Sequence, residues 1–125
     1  MRKGLILFLL SFFILQFAQA QEKEANPNEW DFGIVKQGEI LKHDFLLKNE
    51  TADILEINNI HTSCGCTASE AEKKSLMPQD STAISVSFDS KGYQGAIKQF
   101  VYVNTDNADQ GIIKFTIKAQ VVKED

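Results

Sequence analysis

The sequence has little of several residue types that mark common protein classes. Its 125 residues include two cysteines, two prolines and one tryptophan, and Arg2 is the single arginine. No guanidinium group beyond residue 2 is left for bidentate contacts to phosphates or base edges. The 17 acidic residues also outnumber the 13 basic ones, and a negative chain repels phosphate backbones. Nucleic acid is therefore excluded as an expected partner.

Catalytic and cofactor motifs are also missing. The chain has no G-x-S-x-G, H-E-x-x-H or glycine-rich phosphate loop, and no amphipathic helical run of useful length. The two cysteines are neighbours and no second cluster of Cys or His completes a zinc site. We expect no metal and no cofactor, and no enzyme activity outside thiol chemistry.

One long apolar run is present, and it lies at the N-terminus. Arg2 and Lys3 precede the apolar residues 5–17, and Ala18-Gln19-Ala20 follows with small residues at a cleavage-site spacing. The run is shorter than the roughly 20 residues that span a bilayer. The pattern predicts a signal peptide over residues 1–20 and no stable membrane span after its cleavage. The protein is then exported, to the periplasm, the cell surface or the medium.

After a polar stretch at residues 21–28, which predicts a flexible tether, the chain turns to short segments of alternating apolar and polar residues. This alternation predicts an all-β domain over residues 29–123, with about seven strands separated by turn residues, which is typical of a β-sandwich. Residues 69–74 are too polar and short to pack, and predict a loop with at most one helical turn. The predicted strands cover residues 30–34, 41–48, 54–60, the cysteine stretch to 67 or 68, 82–89, 97–104 and 113–121.

The inward-facing positions of these strands predict the core. Residues 97–104 are apolar on both faces, which is typical of a central strand or of one that carries a second contact surface. His43 lies on the apolar face of its strand and is expected to be a core histidine rather than a ligand. The predicted centre of the core consists of Phe45, Val86, Phe88, Val101, Phe115 and Ile117.

The candidate site is the string Cys64-Gly65-Cys66, which holds both cysteines. If the stretch is an extended strand, the two side chains share a face with Cα atoms about 6.6 Å apart. A disulfide prefers about 5.5–6 Å, so the backbone has to tighten, and Gly65 is the residue best able to allow that. The spacing permits a disulfide without requiring one.

Four interpretations of Cys64 and Cys66 stay open. An exported chain with an even number of cysteines usually pairs them, although so short a loop adds little stability. Both thiols could instead be buried packing groups. The pair could be redox-active. A redox-active thiol usually needs a nearby cation that lowers its pKa, and the residues around the cysteines offer none except His61. It could also bind a soft metal such as Cu(I), for which further ligands are not evident.

The chain resembles a bacterial family catalogued as domain of unknown function 1573, over nearly all of residues 30–120. The resemblance implies an immunoglobulin-like β-sandwich exported from a Gram-negative cell of the Bacteroidetes type, and no known activity. Gln79 departs from it, because the family usually has glycine after the proline of that turn. The matching features are Phe32-Gly33 followed by Gly38-Glu39, Phe45 ahead of Asn49, Ser63-Cys64-Gly65-Cys66-Thr67, Pro78 ahead of Asp80, Gly95, and Val103-Asn104.

Two functions follow from these observations. The first is an exported binding or structural module that contacts a protein partner, for instance by adding a partner strand to an open sheet edge. The alternative is a thiol redox or Cu(I)-handling protein that uses Cys64-Gly65-Cys66. The sequence leaves the partner and the oligomeric state open.

Overall fold

A computed structural model describes residues 26–109 and 111–123, which form eight strands. No helix occurs among these residues, and so none that is long and apolar enough to cross a membrane. The strands are β1 (Glu29–Lys36), β2 (Ile40–Lys48), β3 (Leu55–Thr62), β4 (Thr67–Ala71), β5 (Ser75–Leu76), β6 (Ser81–Asp89), β7 (Gly95–Thr105) and β8 (Ile112–Val122).

The strands make two sheets that face each other across one core. The larger sheet has the order β1-β8-β7-β3-β5 and the smaller has the order β2-β6-β4. All pairings are antiparallel except β1 with β8, which is parallel. The predicted all-β sandwich is confirmed.

The predicted core is also confirmed. All six residues named from the sequence are at most 2% exposed, with Phe88, Val101 and Ile117 fully buried. They come from β2, β6, β7 and β8, so each sheet contributes to the layer between them. β7 lies between β8 and β3, which confirms that the strand with two apolar faces is central.

The loop predicted over residues 69–74 is wrong for residues 69–71. These residues continue β4, which pairs with β6 from Thr67 opposite Phe88 to Ala71 opposite Ile84, and only residues 72–74 lie outside a strand. Thr67 and Ala71 are buried while Ala68 and Glu70 are exposed. The edge of β6 offers backbone partners that local sequence does not reveal, so tertiary pairing overrides the polar composition.

Two buried polar side chains fix the loops at opposite ends of the sandwich. At one end, the Ser90 hydroxyl donates to the Glu39 carbonyl at 2.7 Å and accepts from the Gly38 amide at 2.9 Å. At the other end, the Asn49 amide donates to the carbonyls of Asp53 and Leu76. Both side chains are fully buried, and their partners satisfy them.

The turn at Gln79 keeps a geometry that glycine would favour. Gln79 has a φ of 72°, in the left-handed region, and its amide donates to the Asn49 carbonyl at 2.8 Å. Gln79 therefore adopts a backbone conformation that glycine reaches without the steric cost of a Cβ atom.

The signal peptide predicted over residues 1–20, and residues 21–25 of the tether, lie outside the described residues. Residues 26–28 form a turn in which the Glu29 amide donates to the Asn26 carbonyl at 3.1 Å.

Candidate functional site

The cysteine motif lies where the chain crosses from the larger sheet to the smaller one. β3 ends at Thr62 and β4 begins at Thr67. The Thr67 amide donates to the Cys64 carbonyl at 3.2 Å, which closes a turn. The Thr62 hydroxyl donates to the carbonyls of both Cys64 and Thr67 at 2.9 Å. The prediction that the stretch continues as an extended strand is wrong, because the crossing requires a reversal here.

Cys64 and Cys66 form a disulfide in this turn. Their Cα atoms are 5.3 Å apart, within the usual range for a disulfide and shorter than the about 6.6 Å of an extended strand. The turn therefore supplies the approach that a strand could not. Both cysteines are partly buried, so the bond is neither sealed in the core nor fully open to solvent.

Gly65 does not have the role expected from the sequence. Its φ lies outside the left-handed region, and a Cβ added there would meet no atom within 4 Å. The tightening comes from the hydrogen-bonded turn and not from a conformation that only glycine adopts. An alanine at this position is sterically compatible with the turn.

Several polar hydrogens converge on the two sulfurs. The Tyr93 hydroxyl donates to Cys66 Sγ at 3.1 Å and lies 3.6 Å from Cys64 Sγ. The Cys66 amide donates to Cys64 Sγ at 3.2 Å, and the Thr67 hydroxyl lies 3.7 Å from each sulfur. Sulfur in a disulfide is a weak acceptor, whereas a thiolate is a strong one, so these donors favour charge on sulfur.

Tyr93 is a residue of this site that the sequence did not point to. The residue lies in the loop between β6 and β7, and its ring packs on Phe88 with centroids 5.3 Å apart. The Gln37 side-chain amide donates to the Tyr93 carbonyl at 2.9 Å and fixes this loop to the β1–β2 turn. Tyr93 is distant from the cysteines in sequence, so no local spacing signals the contact.

The histidines do not join the sulfurs. His43 lies on the inward side of β2 and stacks on Trp30, so it packs among rings, but it is half-buried and does not belong to the buried core. His61 is exposed, stacks on Tyr102 and contacts the Asn104 side chain through Nδ1. Within the described residues, no three His, Cys, Asp or Glu side chains are grouped so that they could hold a metal ion.

A second candidate region is a groove between the two sheets at one flank of the sandwich. It has a volume of about 650 Å³ and is lined by residues 46–48 of β2 and 112–115 of β8, with Pro27 and Asn28. Leu46 and Ile112 in this groove are 70% and 64% exposed. Two large apolar side chains thus stand in solvent on opposite sides of one groove.

Along residues 112–115, no strand of the described part of the chain pairs with the outer edge of β8. The Thr116 amide donates to the Asn28 carbonyl at 2.8 Å, so it faces away from β7. Backbone groups alternate in direction along a strand in an antiparallel pair, and Lys114 and Ile112 therefore face the same way. β1 begins at Glu29 opposite Thr116 and does not reach them.

The β2 side of the groove is open in the same manner. The Asn49 amide donates to the Asp80 carbonyl, and the Gln79 amide donates to the Asn49 carbonyl, both at 2.8 Å. Residue 49 therefore faces β6, and by alternation the backbone groups of Lys48 and Leu46 face away from it. No strand among the described residues pairs with this edge of β2.

The chain belongs to a family described as "Protein of unknown function (DUF1573)", whose model matches residues 24–121. This confirms the resemblance drawn from the sequence. A search among curated proteins finds no match.

Solved structures share the fold at low sequence identity. A protein of unknown function from Porphyromonas gingivalis W83 superposes with a TM-score of 0.66 and 18% identity, over 74% of this chain and 44% of its own length. The ASH/PapD-like domain 7 of human CEP192 gives 0.55 and 14%, over 90% and 99%. SSP-19, an MSP-domain protein-like family member of Caenorhabditis elegans, gives 0.53 and 14%, over 75% and 95%. The sandwich therefore has the immunoglobulin-like fold that these domains share, and the chain spans less than half of the Porphyromonas protein.

Proposed function

We propose that this protein is an exported binding module that takes up an extended segment of a partner protein by strand addition in the groove between β2 and β8. One observation carries the proposal. The groove presents open backbone groups on both sides, at Leu46 and Lys48 and at Ile112 and Lys114, together with two exposed apolar side chains. An added strand gains main-chain hydrogen bonds from such an edge and specificity from alternate side chains.

The dimensions and charges of the groove define its occupant. The open part of β8 covers four residues, which is about 13 Å of extended chain. Lys48 and Lys114 are balanced by Glu50 and Asp109 around the rim, so the groove has no strong preference for charge. We expect a short extended segment with two apolar side chains at alternate positions. The segment that precedes Asn26 reads Gln-Glu-Lys-Glu-Ala and lacks this pattern.

Selection from a displayed library of random peptides tests the groove. Enriched peptides should alternate apolar and polar residues, and should shift the amide resonances of Leu46, Lys48, Ile112 and Lys114. The same peptides with N-methyl groups on alternate backbone nitrogens should not bind, because they cannot complete the ladder. Peptides that bind without shifting these resonances would contradict the proposal.

Cross-linking in the native envelope tests whether a partner occupies the groove. A photo-reactive residue at Leu46 or Ile112 should give one defined adduct. The matched control is the same residue at Ile34, which is 78% exposed on β1 but outside the groove. Equal labelling at all three positions, or none in the groove, would argue against a partner there.

The disulfide supports thiol exchange as a second candidate function. A partner dithiol would attack one sulfur and release the other as a thiolate, and its second thiol would complete the exchange. The partner leaves as a disulfide, and Cys64 and Cys66 become thiols. The Tyr93 hydroxyl is placed to donate to the departing sulfur, because it already lies 3.1 Å from Cys66 Sγ. A hydrogen bond of this kind stabilises the thiolate product.

Titration against a dithiol buffer, read by intact mass after alkylation, measures this activity. We expect reversible conversion, with Tyr93→Phe shifting the midpoint so that reduction becomes harder. The metal content of the reduced protein, measured together with the titration, separates dithiol exchange from Cu(I) binding. A disulfide that resists reduction until the protein unfolds would leave the bond a structural one.

A further inference from the structure

The outer face of the larger sheet carries an aromatic and basic cluster. We define the aromatic face as Lys98, Phe100, Tyr102, Lys114 and His61. Register places Tyr102 between His61 of β3 and Lys114 of β8, so the three side chains share one side of the sheet. The Lys114 and Lys98 ammonium groups lie 4.9 and 5.8 Å from the centroid of the Phe100 ring.

Among the described residues, no acidic side chain forms an ion pair with Lys98 or Lys114. The one ion pair found among the described residues joins Lys118 to Glu29, nearer the β1 edge. Lys98 stands directly opposite Lys118, and Lys114 contacts a ring. In a chain whose net charge is −4, this face is a local concentration of positive charge around an apolar centre.

The outer face of the smaller sheet has the opposite character. We define the small-residue face as Asp44, Glu70, Ser85, Ser87 and Ala68. Asp44 and Glu70 both stand opposite Ser85, one on each side, so they are about 10 Å apart across three strands. A shallow depression of about 370 Å³ lies over these residues, with Lys42 at its border. No ion pair among the described residues involves Asp44 or Glu70.

The two faces complement each other in shape and charge. One presents a ring flanked by two ammonium groups, and the other presents a depression over serine and alanine flanked by two carboxylates. We propose that the aromatic face of one copy packs on the small-residue face of a second copy. Sheets pack face to face about 10 Å apart, which lets Phe100 reach the depression. The contact joins different surfaces, so it can repeat from copy to copy.

The size of the smaller face limits the strength of this contact. Three strands about 4.8 Å apart give less area than the roughly 800 Å² per partner of a stable interface. The charged groups also lie at the surface, where salt screens them. We therefore expect weak association that is visible at high protein concentration and low salt. The contact does not involve the disulfide, and Lys114 is the one residue of the aromatic face that also lines the groove.

Sedimentation velocity across protein concentrations provides the first test. The weight-average sedimentation coefficient of the wild-type protein should rise with concentration at low ionic strength. It should return to the monomer value in about 1 M salt, where the Debye length is about 3 Å. A wild-type protein that stays monomeric at every concentration overturns the proposal.

Charge reversal on each face provides the decisive test. Lys98→Glu with Lys114→Glu makes both faces negative, and Asp44→Lys with Glu70→Lys makes both faces positive. Each double variant alone should be monomeric, because its faces repel. An equimolar mixture should associate again, because every contact between unlike variants then joins opposite charges.

A matched control separates location from net charge. Lys73→Glu with Lys74→Glu changes the net charge by the same amount as Lys98→Glu with Lys114→Glu, but on two exposed residues outside both faces. This variant should associate as the wild type does. Thermal unfolding should show that all three variants are folded. If the mixture of the two reversed variants does not associate, or if the control is as impaired as they are, the proposal is wrong.

Discussion

The flank where β1 and β2 are neighbouring edges has two unlike halves. In one half, rings close the gap between the sheets: Trp30 stacks on His43 at 4.3 Å, and His43 meets Phe45 at 4.6 Å. Phe45 in turn stacks on Phe115 at 4.8 Å, deep in the core. In the other half, the space between the two sheets is the groove, with Leu46 and Ile112 exposed to solvent.

The difference arises from where β1 starts. From Glu29 onward, β1 covers the edge of β8 and carries Trp30 and Phe32 over the sheet gap. Before Glu29, the turn at residues 26–28 ends the pairing, so residues 112–115 keep an open edge. An edge that rings protect and an edge that no described strand covers thus occur on the same flank. Open edges are usually protected in soluble proteins, which makes the unprotected half informative.

Phe115→Ala should give the largest effect, because it removes the inner end of the ring series. Phe115 is 1% exposed, and truncating a buried phenylalanine costs about 3–5 kcal/mol of unfolding free energy. Urea unfolding followed by circular dichroism measures the loss. Phe100→Ala is the matched control on the outer face and should cost distinctly less. Equal losses would mean that the closed half contributes no special stability.

Trp30→Ala should give an intermediate effect at the outer end of the same series. The side chain is 44% exposed, so part of its area is buried against His43 and Phe32. We expect a loss of about 1–2 kcal/mol from the buried area and the stacking. Ile34→Ala, on the same strand and 78% exposed, should change stability by no more than about 0.5 kcal/mol. If Trp30→Ala cost as little as Ile34→Ala, the outer end of the ring series would add no stability to the closed half.

The closed half could be predicted from sequence better than the open half. Alternation along β2 and β8 places Phe45 and Phe115 inward, since strand periodicity directly encodes which face is buried. Alternation says nothing about which edges meet. The parallel pairing of β1 with β8, and the register that leaves residues 112–115 open, depend on contacts between distant segments.

The cysteine site could likewise be predicted from the sequence only in part. The pair Cys64 and Cys66 is visible in the sequence, and their spacing allowed a disulfide. The turn that joins them follows from the crossing to β4, whose pairing with β6 is a tertiary contact. Tyr93 follows β6 in the sequence whereas the cysteines precede it, and the tertiary fold brings its hydroxyl to the sulfurs. A local pattern could not include it.

His43 should make stability depend on pH in the closed half. Burial between Trp30 and Phe45 lowers the pKa of His43 below 6.5, against a smaller opposing effect of Asp44. As the pH falls below about 6.5, the unfolded chain takes up a proton that the folded chain resists, so stability decreases. The stability that depends on neutral His43 is fully present above that pH. It decreases as the pH falls, until the pH has passed the lower pKa of the folded state.

Urea midpoints at about pH 7.5 and pH 5.5 measure this dependence. His43→Gln should show a smaller decrease between the two values than the wild type, because the titrating group is gone. His61→Gln removes the other histidine, which is exposed outside the ring series, and should keep the wild-type decrease. If both variants retain it, the decrease comes from carboxylates and not from the closed half.

Leu46→Lys should have the smallest effect on stability, because Leu46 belongs to the open half and is not packed in the core. Leu46 is 70% exposed, and a surface substitution of this kind changes stability by about 0.5 kcal/mol or less. Its neighbour Leu47 points into the core and is 3% exposed, so Leu47→Ala should cost about 2–5 kcal/mol. The two adjacent residues of β2 therefore differ in their expected roles, because Leu47 packs in the core whereas Leu46 is expected to contact the peptide.

In the same urea experiment the Leu46→Lys protein should unfold as the wild type does, yet a peptide selected on the wild-type groove should no longer bind it. A Leu46→Lys protein that binds the peptide unchanged would show that the exposed leucine is not part of the recognition surface.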